Sequence, residues 1–139
     1  MAFFFTSATG RIALLLFGVD ILLPYLLRKT RLSQALGLQQ NSGTSYLRRM
    51  WPHYWCGYLL LVFSAAHAWF SMQAATMSRL NMTGLWLATV AMGFLLLQVA
   101  LGLLLQDRTL PTRNLIRRWH YWIMLTLVAA IAAHVWLNG

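Results

Sequence analysis

Acidic residues are nearly missing from this chain of 139 residues: aspartate and glutamate together number 2, Asp20 and Asp107, against 11 lysines and arginines. No catalytic acid–base pair is evident among them. Charged residues of either sign make up only 9% and hydrophobic ones 60%, which is too little polar surface to cover a soluble domain. Cysteine occurs once, at Cys56, so an internal disulfide is excluded and the redox state of the compartment leaves no trace in the sequence. Polar connecting sequence is also scarce. The one long stretch is "RKTRLSQALGLQQNSGTSYLRR", with Gly and Ser around 41–45 marking a turn. "QAATMSRLNMT" and "QDRTLPTRNLIRR" are shorter links, the second with Pro111 placed to start a helix.

What fills the chain instead is four apolar runs of about 20 residues, the length that crosses a ~30 Å hydrocarbon core. They predict helices over about 12–28, 53–73, 83–105 and 115–137. The expected fold is an all-α integral membrane protein, a four-transmembrane-helix bundle of two helical hairpins forming a single domain over 1–139. The first run lacks a basic leader before Arg11, carries Asp20 at its middle and shows no small-residue cleavage site, so it reads as a membrane helix rather than a secretory signal. Phe3, Phe4 and Phe5 are apolar enough to extend it.

The net charge of +9 is a topology signal and not a nucleic-acid footprint, because the basic residues sit at span ends. Arg28, Lys29, Arg31, Arg48 and Arg49 lie between spans one and two, and Arg108, Arg113, Arg117 and Arg118 between three and four; only Arg11 and Arg79 lie on the opposite side. The positive-inside rule then puts both longer loops in the cytoplasm and both termini outside, as in a prokaryotic cytoplasmic membrane. Tryptophans agree: Trp51, Trp55, Trp119 and Trp122 make an inner belt, and Trp69, Trp86 and Trp136 an outer one.

All 4 histidines belong to a repeated phrase, "RRMWPHYWCGYLLLVFSAAHAW" and "RRWHYWIMLTLVAAIAAHVW". Aligned on their first histidines, the copies share His-Tyr-Trp, an eleven-residue interval and His-x-Trp, with an Arg-Arg pair upstream. Spans one and three share no comparable phrase. The pattern predicts a parallel internal repeat in which spans two and four run in the same direction. His53 and His67 are fourteen residues apart, as are His120 and His134; that is close to four helical turns, so each pair shares one face at a separation of about 21 Å.

Intramembrane histidines are costly and face partners. In parallel helices, His53 falls level with His120 and His67 with His134, giving two imidazole pairs of the kind that fill the axial positions of a haem iron. Zinc and copper gather three or four ligands at one point, against two at each level here. The single cysteine rules out covalent attachment, so the expected cofactors are two noncovalent b-type haems. Helix-packing polar residues or interface anchors are the competing reading of the histidines. Arg48, Arg49, Arg117 and Arg118 are candidates for haem propionates, or topology signals alone. Asp20, and more weakly Gln98, are candidates for proton delivery or quinone binding, or polar residues satisfied by a neighbour. Gly57, Gly93 and Gly102 would let a flat macrocycle approach the backbone, or serve helix packing.

At these residues the chain resembles the di-haem cytochrome b architecture of the ferric reductase-like transmembrane family and of the cytochrome b subunits of quinol-oxidising complexes. The Arg-x-x-x-x-His entry from Arg48 to His53 and the segment "LLLQDRTLPTRNLIRRWHYW" look closest to the ferric reductase-like group. The resemblance covers spans two to four, and span one by position. It implies that His53, His67, His120 and His134 are axial haem ligands. The family's frequent six helices and its flavin- or nicotinamide-binding domain are not found in these residues. The expectation is therefore an electron-transfer subunit that exchanges electrons with a partner redox subunit or carrier and with quinone or another acceptor; the alternative is a small oxidoreductase acting directly on quinone, superoxide or ferric iron. Membrane lipid is an expected partner and nucleic acid is not.

Overall fold

A computed structural model describes residues 2–29, 46–75 and 82–138. They form four α-helices: α1 (Ala2–Lys29), α2 (Tyr46–Ala75), α3 (Met82–Leu104) and α4 (Arg113–Asn138). Lipid offers no partner to backbone N–H and C=O groups, so an apolar segment that crosses it satisfies them internally, as a helix does. Each helix contains a stretch long and apolar enough to span a membrane: Thr6–Leu27, Met50–Gln73, Met82–Leu104 and Arg113–Leu137. The chain is an all-α integral membrane protein whose helices pair as two hairpins, α1 with α2 and α3 with α4.

The helices are longer than the apolar runs at their N-terminal ends. α1 has 28 residues, about 42 Å at 1.5 Å per residue, and begins at Ala2 instead of near residue 12. Arg11 therefore lies inside the helix and is exposed, where its long stem can carry the charge toward the boundary. α2 begins at Tyr46 and takes in Arg48 and Arg49. Pro52 lies within it, removing one backbone hydrogen bond just ahead of His53. The Gly- and Ser-rich turn expected at 41–45 lies outside the described residues.

The chain divides into two compact units, Ser7–His67 and the combination of Met1–Thr6 with Ala68–Gly139. In Ser7–His67, α1 and α2 run antiparallel: Leu16 meets Cys56, whose thiol donates to the Leu16 carbonyl at 3.4 Å, and the contact at Asp20 falls at the lower-numbered His53. Phe17, Leu27, Met50, Cys56 and Leu60 are buried.

In the other unit α3 and α4 lie side by side, with Gly84, Leu95, Ile123 and Leu127 buried. Their connection is short and hydrogen-bonded. The amides of Gln106 and Asp107 turn back to the carbonyls of Leu103 and Leu104 at 3.0 and 3.2 Å, closing α3. Asp107 then organises a turn by accepting from the Thr109 amide (2.8 Å) and hydroxyl (2.7 Å). The Arg113 guanidinium donates to the Leu105 carbonyl at 3.3 Å, placing a cation at the carbonyl-rich end of α3. Pro111 sits in the turn and not in the first helical turn; Thr112 supplies the first carbonyl of α4, to the Ile116 amide at 3.0 Å.

Large apolar side chains point outward along all four helices, among them Leu15 at 70% and Trp136 at 88% exposure. Such a surface belongs against lipid. All seven tryptophans are exposed, as residues that anchor at the lipid–water boundary must be. At the start of α2 they form an edge-to-face ladder, Trp51 on Trp55 at 5.6 Å and Trp55 on Tyr58 at 6.3 Å.

Candidate functional site

Two unbroken helices carry the four histidines: 53 and 67 on α2, 120 and 134 on α4. Because no helix end or irregular turn interrupts either interval, the fourteen-residue spacing leaves each pair about 40° apart around its axis. All four rings are half-buried. At His53, His120 and His134 a residue of the other helix in the same hairpin meets the ring through a polar contact, and beside His67 that helix also places a glycine.

In the α1–α2 hairpin, Asp20 lies against His53. His53 Nδ1 is 2.8 Å from Asp20 Oδ1 and 3.2 Å from the Asp20 backbone carbonyl. A carbonyl only accepts, so Nδ1 is the protonated nitrogen and the lone pair sits on Nε2. The side chains are 22% and 19% exposed, shielded enough for the contact to be held and not averaged away by water. Ten residues earlier on α1, Gly10 underlies His67. A methyl group at Gly10 would stand 2.9 Å from both Cε1 and Nδ1 of that ring, closer than side chains pack, so the ring occupies the space that the missing side chain leaves.

In the α3–α4 hairpin, Gln98 takes the place that Asp20 has in the first. Its Nε2 donates to His120 Nε2 at 3.1 Å, which again puts the lone pair of the imidazole on Nε2. The Gln98 Oε1 is buried and accepts no hydrogen bond from the described residues. Gly102 lies beneath the same ring, with room for a methyl group at 3.7 Å from Cε1. His134 donates from Nδ1 to the Gly84 carbonyl at 3.2 Å, so its lone pair is on Nε2 as well.

These contacts fit axial ligation of a haem iron. A metal-bound histidine characteristically donates its second ring N–H to a carboxylate or backbone carbonyl, which fixes tautomer and orientation. His53 and His134 have that arrangement. His120 presents the same tautomer, but through the nitrogen that Gln98 engages, so ligation there requires the amide to swing aside and would free its buried donor and acceptor for another partner. Among the described residues no group of three or more His, Cys, Asp or Glu side chains comes together.

The remaining candidates are dispersed. Arg117 and Arg118 are exposed near the start of α4, one turn or less before His120. The side chains of Arg48 and Arg49 lie outside the described residues. Gly57 and Gly93 face open space, with nothing within 4 Å of the place a methyl group would take, so neither packs against a histidine. Asp107 is outside the membrane spans, and its bonds from the Thr109 hydroxyl and amide hold its carboxyl below the ordinary carboxylate range.

Gly10 and Gly84 are the contacts that sequence reasoning missed. Antiparallel register is the signal that leads to them: as residue numbers rise from the first to the second histidine of α2 or α4, the facing position on the companion helix falls by a similar amount, from Asp20 toward Gly10 and from Gln98 to Gly84. No family model matches the chain, and no curated protein or solved structure is detectably similar to it.

Proposed function

We propose that this chain is a transmembrane electron-transfer subunit that carries two noncovalent b-type haems, with His53, His67, His120 and His134 as axial ligands paired as the sequence register expects. The observation that carries the reading is the same fourteen-residue histidine interval on two uninterrupted membrane-length helices. The Nε2 lone pair on His53 and His134, left open by bonds through Nδ1, supports it. Bound haem would supply one-electron redox chemistry at each level.

The chain's own part is binding and placement. The Asp20 and Gly84 carbonyls hold two imidazoles by Nδ1, and Gly10 gives a third the space it occupies. Arg117 and Arg118, with Arg48 and Arg49, are the cations available to propionates. The lipid-facing apolar surface excludes water from the redox groups. In this reading the arginine-rich connections face the cytoplasm of a prokaryotic cell and both termini face outward. Electrons pass between a partner redox protein and quinone or another acceptor.

The test is a reduced-minus-oxidised absorption spectrum of the detergent-purified protein, compared with His53→Ala and His134→Ala. A b-type spectrum that loses intensity in both variants is expected. A featureless spectrum from cells supplied with haem, or variants that retain the full signal, would overturn the proposal.

A further inference from the structure

Asp20 and Gln98 occupy corresponding places, each on the first helix of its hairpin and each against the first histidine of the repeat, yet one carries a carboxylate and the other a neutral amide. Asp20 is the only acid within the described membrane-spanning segments; the chain's other acid, Asp107, lies in the connection between α3 and α4. At the other three histidines the companion helices place a glycine beside His67, an amide beside His120 and a backbone carbonyl beside His134. Since His53 and His67 are about 21 Å apart along α2, a charge at Asp20 acts on one level far more than on the other.

We infer that Asp20 is a positioning residue that sets the redox potential of the haem held by His53. The inference rests on the haem-ligand reading of His53. A negative charge 2.8 Å from Nδ1 favours positive charge on the imidazole and makes Nε2 a stronger donor, which favours the more positive, oxidised iron and lowers the potential. The low dielectric of the membrane interior enlarges the effect. The duplicate contact separates this role from simple support. The backbone carbonyl of residue 20 also lies 3.2 Å from Nδ1, so a variant without the carboxylate keeps an acceptor for the same tautomer and loses mainly the charge.

The experiment is an optical redox titration of the purified, haem-loaded protein and of Asp20→Asn, Asp20→Glu and Gln98→Glu. Asp20→Asn is expected to keep both haems and to raise one of the two potentials. The shift is on the order of tenfold in the oxidised-to-reduced ratio, about 59 mV for a one-electron couple, while the other potential stays in place. Asp20→Glu should restore the wild-type value. Gln98→Glu, which adds a carboxylate at the corresponding place, should shift a potential downward by a similar factor, and it decides the matter if Asp20→Asn fails to load. Two-haem loading with potentials unchanged in Asp20→Asn and Gln98→Glu would overturn the inference and leave the haem reading standing. A wild-type protein without haem would overturn the haem reading itself.

Discussion

In the α1–α2 hairpin the side chain set against the first histidine is a carboxylate, and the second histidine lies on a glycine; in the α3–α4 hairpin the corresponding contacts are a neutral amide and a backbone carbonyl. The imidazole placement is repeated while the means of holding it are not. That difference teaches that the two hairpins share the histidine positions and differ in what the companion helix sets against them: an acceptor, a donor or room. It also makes the four histidines unequal in electrostatics, although the sequence phrase around them is nearly the same.

The comparison can be broken most severely by removing the histidines proposed as ligands. Single His→Ala changes at 53, 67, 120 and 134 are each expected to lower haem content from two per chain to one or none, as read by haem extraction and absorbance. Equal losses from both hairpins would support the repeat, and a loss confined to one hairpin would break it.

A smaller effect is expected at Gly10. Its substitution by Ala puts a methyl group 2.9 Å from the His67 ring, so the ring must move, at a cost of about 1–3 kcal/mol for overpacking. Gly18→Ala on the same helix meets nothing within 4 Å and should be neutral or stabilising by up to about 1 kcal/mol. Unfolding in graded detergent mixtures separates the two variants. Equal behaviour would mean that Gly10 has no special relation to His67.

The connection of the second hairpin gives the next effect. Arg113→Ala removes the cation at the Leu105 carbonyl and should cost about 0.3–1 kcal/mol, visible as faster amide exchange at the end of α3. The smallest change is a pH effect at Asp107. Because its carboxyl is held below the ordinary range by Thr109, the ionised form is the one the fold favours. Its contribution is complete above the ordinary carboxylate value and is lost as pH falls through the lowered folded value. The exchange rate of the Thr109 amide should rise as pH falls in that interval, after correction for intrinsic exchange, and be insensitive to it in Asp107→Asn.

Four membrane helices were legible in the sequence because lipid imposes a minimum apolar length, and the repeat was legible because histidine is rare there. The start of α1 at Ala2 was partly so: Phe3, Phe4 and Phe5 offered the extension, while Arg11 reads as a boundary although a long cationic side chain can remain in a helix that continues past it. For α2 the same holds of Arg48 and Arg49. Asp20 and Gln98 stood out singly as polar residues in apolar spans. Their equivalence did not, because it lies in a shared relation to His53 and His120 and in no shared neighbouring residues. Gly10 and Gly84 act through an absent side chain and a backbone oxygen, which leave no residue-type signature.

Haem stoichiometry by the pyridine haemochrome method, on protein purified from cells well supplied with haem, is the most direct measurement of the central claim. Two noncovalent haems per chain are expected, and a colourless protein with its helices intact would contradict the account.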